Sequence, residues 1–395
     1  MSGREWKIVN PGGARRVVVT KELPGDRWLR LLTAVACRVE IAQGHDILAE
    51  SEIAAAFGGH VDAAIGQLTE SWSAELLGAL SAAGAAVYSQ YAVGHDNVDV
   101  AAATRRGLPV GNTPGVLTVT TAQLAVALTF AATRRIAEGD RMMRAGEYHG
   151  WLPSLLLGTL IYRGTLGIVG AGRIGAAYAR MMVEGHKMDL IYFDVRPNEH
   201  LEQYVADYAA FLAAHGERPV TCRRAATLPE LLSACDVVSI HAALTPETRH
   251  LIGARELATM KEGAVLVNAS RGALVDEAAL VAHCRAHPCF RAGLDVYENE
   301  PAMAPGLADL DNVVVVPHLG SASTWAREGM ATLAAANVVA ILQGWPVWPA
   351  ARSLEDVLPF LEDEKPPRAA PSIVNADDLG LPRLTAQAPM KEDHQ

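Results

Sequence analysis

The 395-residue chain lacks any long apolar run: stretches such as LAVALTFAA at 124–132 fall far short of the ~20 residues that a membrane-spanning helix needs. It also lacks an excess of positive charge. Lys and Arg total 34 against 44 Asp and Glu, a net charge of −10, which argues against a general nucleic-acid or acidic-membrane surface. An anionic small molecule can still be held by one or two local arginines. Cysteine is scarce: Cys37, Cys222, Cys235, Cys284 and Cys289 are scattered, odd in number and without the paired spacing of a zinc site or disulfide framework. They read as reduced thiols of an intracellular enzyme, with no metal called for. The opening MSGREWKIVNPGGARR has no apolar core of a secretory signal, and the closing MKEDHQ is not a Ser-Lys-Leu type address. These absences predict a soluble intracellular protein.

What is present is alternation. Half the residues are apolar, enough for two domains with a core each. Residues 1–120 alternate β-like runs (RRVVVT, CRVEIA, AAIGQL, AAVYSQ, LPVGN) with helix-like segments (WLRLLTAVA, SEIAAAFG, AELLGALSAAG), the pattern of an α/β domain with a parallel sheet. A helical period then runs from Thr121 through TAQLAVALTFAATRRIAEGDRMMRAG, predicting one helix of about six or seven turns that bridges two domains. A second alternation spans Thr165 to about Gly320. The helix-like WAREGMATLAAANVVAILQG carries the chain back towards the first domain, and about the last 35 residues, rich in Pro, Asp, Glu and Lys, read as an extended tail. No internal repeat is evident.

Six β-like runs mark the second alternation: TLGIV (165–169), DLIYF (189–193), DVVSI (236–240), AVLVN (264–268), AGLDV (292–296) and VVVV (313–316). At or just beyond their C-terminal ends stand, in order, Gly170-Ala171-Gly172-Arg173-Ile174-Gly175, Asp194, His241, Ser270-Arg271, Asp295 with Glu300, and His318. Ligands of open doubly wound sheets bind outside the carboxyl ends of the strands, so these groups are expected to face one crevice.

The glycine motif taken alone is equally a helix-packing turn. Its context favours a dinucleotide site: it follows a strand, opens a helix, and is followed nineteen residues after Gly175 by Asp194, placed to accept hydrogen bonds from a ribose. Asp194 disfavours a 2′-phosphate, hence NAD over NADP, while Arg196 softens that preference and leaves NADPH as a weaker alternative. His318 follows an apolar strand, and Glu300 is a carboxylate able to hold an imidazole in one tautomer as an acid competent near neutral pH. Arg271 offers the planar fork that a 2-oxo carboxylate requires. The competing readings are a backbone-bonded histidine, a solvated turn glutamate before Pro301 and a surface salt bridge. Asp295 is either a nicotinamide-carboxamide ligand or a buried helix cap, His241 is structural, Trp151 packs in the core, and His95 lies in a loop.

Motifs along nearly the whole chain then carry a resemblance: TKELPGDRW, GQLTESW, AVGHDNVDV, GNTPGVLTVTTA, GAGRIGAAYARMMVEGHKMDLIYFD, LVNASRGALVDEAALV, GLDVYENEP, VVPHLGSAS, REGMATLAAANV and PSIVNADDLGLP. The sequence resembles the NAD-dependent D-2-hydroxyacid dehydrogenases, most closely the hydroxypyruvate reductases (glycerate dehydrogenases) of plant-type photorespiration. The resemblance implies NADH-dependent reduction of hydroxypyruvate to D-glycerate, and of glyoxylate, by a trio of Arg271, Glu300 and His318. It further implies that Val93 and Gly94 seat the substrate carboxylate, that Arg173, Ile174, Asp194, Ala243, Ala269, Asp295 and Gly320 line the cofactor, that the enzyme is a homodimer, and that Trp151 reaches the neighbouring subunit's active site. His95 replaces the family's usual Tyr, and Val119 and Gln123 replace its usual acidic residues. Plant relatives end in Ser-Lys-Leu where this chain continues RLTAQAPMKEDHQ, which opens a mitochondrial or cytosolic home beside a peroxisomal one.

The expected architecture is two doubly wound parallel-sheet α/β domains: a Rossmann NAD-binding domain (131–321) inserted into a discontinuous flavodoxin-like substrate domain (1–130 and 322–395), with the site in the crevice between them. Other readings stand beside this one. A D-3-phosphoglycerate dehydrogenase would want extra basic residues near AVGHDNVDV, and a formate dehydrogenase would want an amide at position 300. A nicotinamide-sensing binding protein of the same fold also remains.

Overall fold

The computed structural model describes residues 4–349, 351 and 353–384; the terminal hexapeptide MKEDHQ and Met1 lie outside the described residues. The chain divides into two compact units, 1–117 with 322–395, and 118–321. Among the described residues no helix is long and apolar enough to cross a membrane.

The first unit holds a six-stranded sheet of β1 (Trp6–Val9), β2 (Arg15–Val19), β3 (Cys37–Ala42), β4 (Ala63–Gly66), β5 (Val87–Gln90) and β6 (Val110–Gly111), in the order β1-β3-β2-β4-β5-β6. Strands β2 to β6 are parallel and almost wholly buried, as continuous Val- and Ala-rich runs require when helices cover both faces. Their order is the flavodoxin-like 2-1-3-4-5 arrangement. The edge strand β1 pairs antiparallel with β3 and is not foreseen from the sequence, because its WKIV run is half exposed. The helix Thr324–Leu342 belongs to this unit and is buried along most of its length, including Gly329, whose missing side chain admits Val116.

Three expectations are corrected here. The helical period at 121–146 is not one helix: it breaks at Arg135, which is left-handed (φ 54°), giving Thr118–Thr133 and Ile136–Arg144. The boundary near 130 moves to 117/118, because Ala122, Ala125, Leu128 and Ala132 of the first helix pack into the second unit's core with Tyr178 and Ala179. The described part of the C-terminal segment is not an extended tail. Within it Ile373 and Ala376 are buried. Ser372 and Asn375 also hydrogen-bond to residues 104–112 beside β6.

The second unit carries a seven-stranded, all-parallel sheet: β7 (Thr165–Val169), β8 (Asp189–Phe193), β9 (Cys222–Arg224), β10 (Val237–Ile240), β11 (Val265–Asn268), β12 (Arg291–Leu294) and β13 (Val313–Val315). Its order, β13-β12-β11-β10-β7-β8-β9, is that of a Rossmann sheet, with the reversal between β7 and β10. The strand β9 is missed by the sequence reading since it is short and charged. Register determines where the strand-end groups fall. Val169 pairs with Phe193 on one side and Ile240 on the other, Ile240 with Asn268, Asn268 with Leu294, and Leu294 with Val315. The strands therefore end level, and the next residue of each begins one continuous rim.

Candidate active site

That rim starts with the glycine turn after β7. Gly170 has φ +92°, and a Cβ there would lie 2.6 Å from the Ala242 nitrogen; one on Gly175 would lie 2.2 Å from the Gly170 oxygen. Both glycines are thus demanded by the packing of the strand, the turn and the helix Arg173–His186. Gly172 is different. A Cβ on it would meet nothing within 4 Å, it is exposed, and no side chain caps the helix that it opens. Space left over the uncapped positive end of a 14-residue helix fits a pyrophosphate, which the backbone N–H groups can approach. Arg173 is exposed and Ile174 half-buried on the first turn.

Asp194 stands just past β8 and is tied to the same turn. One carboxylate oxygen accepts from the Ala171 N–H at 2.8 Å, the other from the Arg196 N–H at 3.2 Å. Two residues unmarked by the sequence reading brace this corner. Asn198 donates to the Ala171 oxygen at 2.7 Å, and Arg224 of β9 donates to the Asp194 and Val195 carbonyls at 2.8 and 3.2 Å. The signal for Asn198 was its N-cap position before the helix Glu199–Ala214. The Arg196 side chain is exposed, as is Ala243, whose carbonyl accepts from Thr248.

At the centre of the rim His241 bonds through Nε2 to Ser239 Oγ at 2.9 Å, and its Nδ1 is buried without a partner. Burial pushes its pKa down to about 3, so the ring is neutral. Ala269 is buried immediately after β11. Asn268 then shapes the turn that carries Arg271, donating to the Arg271 carbonyl at 2.8 Å and accepting from the Ser270 N–H at 3.1 Å.

His318 and Glu300 meet: His318 Nδ1 lies 2.9 Å from Glu300 Oε2, with both side chains about a quarter exposed. The other glutamate oxygen accepts from the Tyr297 N–H at 3.0 Å. Burial works to raise the Glu300 carboxyl, yet the hydrogen bond and charge of His318, the Tyr297 N–H and the charge of Arg271 hold it below the usual carboxylate range. His318 itself has φ +52°, a left-handed conformation that disfavours a non-glycine residue by roughly 1–2 kcal/mol. Asp295 compensates. Its backbone carbonyl accepts from the His318 N–H at 2.9 Å, and its carboxylate accepts from Leu319 and from Gly320, the latter at 2.8 Å. Burial raises the Asp295 carboxyl against those hydrogen bonds and the charge of His318.

Val93 and Gly94 lie in the first unit, past the end of β5, in a loop pinned by Asn112 Nδ2 on the Val93 carbonyl at 2.9 Å. His95 follows them. Trp151 does not pack in the core: it is 78% exposed, in an irregular segment of the second unit.

Comparisons with known proteins give the chain its relatives. The family described as "D-isomer specific 2-hydroxyacid dehydrogenase, NAD binding domain" matches residues 126–320. The glycerate dehydrogenase of Cucumis sativus is 54% identical over 95% of this chain and 98% of its own length. A glyoxylate reductase of Thermococcus litoralis is 44% identical over 72% of this chain and 81% of its own. Among solved structures, the TT0316 protein of Thermus thermophilus superposes with a TM-score of 0.73 at 39% identity, covering 84% of this chain and 97% of that one. At 54% identity over nearly the full length of both proteins, and with the family's NAD-binding domain matched on the Rossmann unit, the chain belongs to the D-isomer specific 2-hydroxyacid dehydrogenases.

Proposed function

We propose that this dehydrogenase reduces hydroxypyruvate to D-glycerate with NADH, the reaction of a photorespiratory-type hydroxypyruvate reductase, and that it also reduces glyoxylate to glycolate. The observation that carries the reading is the His318–Glu300 pair at 2.9 Å, held on the same strand-end rim as the glycine turn and Arg271. NADH, when bound, supplies the hydride that adds to C2 of the 2-oxo acid. Gly170, Gly172, Arg173, Ile174, Gly175 and Asp194 hold it, with Ala243, Ala269, Asp295 and Gly320 lining the rim beyond. Asp194 favours NADH, and the exposed Arg196 leaves NADPH as the weaker alternative.

The protein's own groups do the rest. Arg271 binds the substrate carboxylate and polarises the carbonyl, since a guanidinium presents parallel N–H donors to planar anions. With Nδ1 engaged by Glu300, His318 keeps Nε2 for the proton delivered to the developing alkoxide, and the glutamate supports the imidazolium that gives it up. Glyoxylate presents the same carboxylate and adjacent carbonyl, so the same groups serve it.

The proposed assembly is a homodimer. Met143, Trp151, Leu152, Leu157 and Leu160 are 60–82% exposed within one short segment, a concentration of apolar surface that a second copy would cover, bringing Trp151 to the neighbouring active site. The test of the reaction is loss of reduced-cofactor absorbance with hydroxypyruvate, glyoxylate and phosphohydroxypyruvate, each with NADH and NADPH. Fast turnover of hydroxypyruvate with NADH is expected. A preference for the phosphorylated acid would reassign the substrate, and turnover of none would overturn the reading.

A further inference from the structure

Glu300 rides on a loop, residues 297–304, whose shape is set by a residue outside the trio. Glu277 is 3% exposed, and its two carboxylate oxygens accept from the two flanks of that loop: the Glu298 N–H at 2.6 Å and the Ala304 N–H at 2.9 Å. A buried carboxylate is costly unless its lone pairs are satisfied. Here two backbone donors and the positive end of the helix Glu277–Ala286, of which it is the first residue, satisfy the charge. The oxygens of one carboxylate are a fixed distance apart, so residues 298 and 304 are held at a fixed separation, with Glu300 between them.

The same loop is pressed onto the rim at two further points. Gly272, next to Arg271, lies so close to the loop that a Cβ there would be 1.8 Å from the Tyr297 carbonyl carbon. The Tyr297 hydroxyl donates to the Val316 carbonyl at 2.9 Å, two residues before His318. Glu277 thus clasps the segment that must present one carboxylate to His318 while abutting the turn of Arg271.

We propose that Glu277 is a positioning residue for the reduction, setting where Glu300 stands relative to His318 by holding the Glu298 and Ala304 N–H groups. The inference rests on the reading of Glu300 as the partner of His318 in turnover.

The experiment compares wild type, Glu277→Gln, Glu277→Ala and Glu300→Gln for kcat and KM with hydroxypyruvate across pH, for NADH affinity by fluorescence titration, and for Tm. Glutamine is isosteric and keeps one acceptor oxygen, so it safeguards the test if alanine fails to fold. Glu277→Gln should lower kcat by about ten- to a hundredfold, the scale of a small misplacement of a catalytic group, with NADH affinity within about twofold of wild type. KM should stay within about threefold of wild type, the same split between kcat and KM as in Glu300→Gln, because the loss falls on proton delivery in the transition state and not on substrate binding. A kcat within about twofold of wild type in both Glu277 variants, while Glu300→Gln lowers it, would overturn the clasp alone. If Glu300→Gln itself matched wild type in rate and profile, the reading of Glu300 would fall and the clasp with it.

Discussion

Glu300 Oε2 and His318 Nδ1 are 2.9 Å apart on the rim of a parallel sheet, and this contact decides which imidazole nitrogen is left for chemistry. If Nε2 delivers the proton, His318→Gln should lower kcat/KM for hydroxypyruvate by about 10²–10⁴, the usual contribution of a general acid. NADH affinity should change little, since no cofactor-binding role is given to the ring. Steady-state rates beside fluorescence titration of NADH check both halves. Surviving turnover would mean that the proton comes from elsewhere.

Gly172 and Gly175 make opposite predictions from one motif. Alanine at 175 would drive a methyl to 2.2 Å from the Gly170 oxygen, an overpacking that should destabilise the fold by about 1–3 kcal/mol. Alanine at 172 meets nothing in the protein, so stability should hold to within about 1 kcal/mol. The added methyl occupies the space read as the pyrophosphate's, and NADH should bind at least about tenfold more weakly. Thermal melts and NADH titrations on the two variants separate packing from binding. Equal NADH affinity in Gly172→Ala and wild type would remove the phosphate from that space.

Much of this arrangement is legible in the sequence alone, and the exceptions have physical causes. Buried parallel strands such as TLGIV and DLIYF announce themselves because both faces are covered, and the groups after them come into view with them. The strand Cys222–Arg224 is hidden by its arginines, one of which braces Asp194. The break at Arg135 lacks the glycine or proline that normally punctuates a helix; its side chain bonds Glu138, the third residue of the next helix. The polar C-terminal segment looks solvated, yet Ser372 and Asn375 use their polarity on Asn112, Thr104 and neighbouring backbone. Glu277 is invisible for a related reason: its partners are backbone N–H groups more than twenty residues away, which no side-chain pattern records.

The exposed apolar segment yields a prediction about assembly. Leu160 is 82% exposed in the single chain, so Leu160→Asp should leave the protomer's stability within about 0.5 kcal/mol. In the proposed homodimer the same change buries a carboxylate at an apolar interface and should shift the protein towards monomer at micromolar concentration. Sedimentation velocity reads the change directly. A wild type that is monomeric, or a dimer indifferent to the aspartate, would send the interface elsewhere on the surface.

The first unit offers a pH-dependent stability test at Glu70, which is 2% exposed beside the loop after β4. One of its oxygens accepts from Thr20 Oγ1 at 2.9 Å, the Gln67 N–H at 2.9 Å and Trp72 Nε1 at 3.2 Å, while the other is buried without a partner. Burial raises its pKa above the ordinary carboxyl value, and the three hydrogen bonds and the charge of Lys21 only partly offset this. A group whose pKa is higher in the folded than in the unfolded chain lends stability fully below the unfolded value and loses it as pH rises through the folded one. Glu70→Gln keeps an acceptor oxygen for the three donors and removes the titration. The Tm of Glu70→Gln minus that of wild type should therefore climb as pH rises above about 4.3, the unfolded glutamate value, and level off once the folded carboxyl has ionised. Melts at closely spaced pH from about 4 to 8, a range that brackets the unfolded value, measure the curve. A difference that stays flat across that range would show that the carboxyl ionises alike in both states, and burial would then not govern its titration.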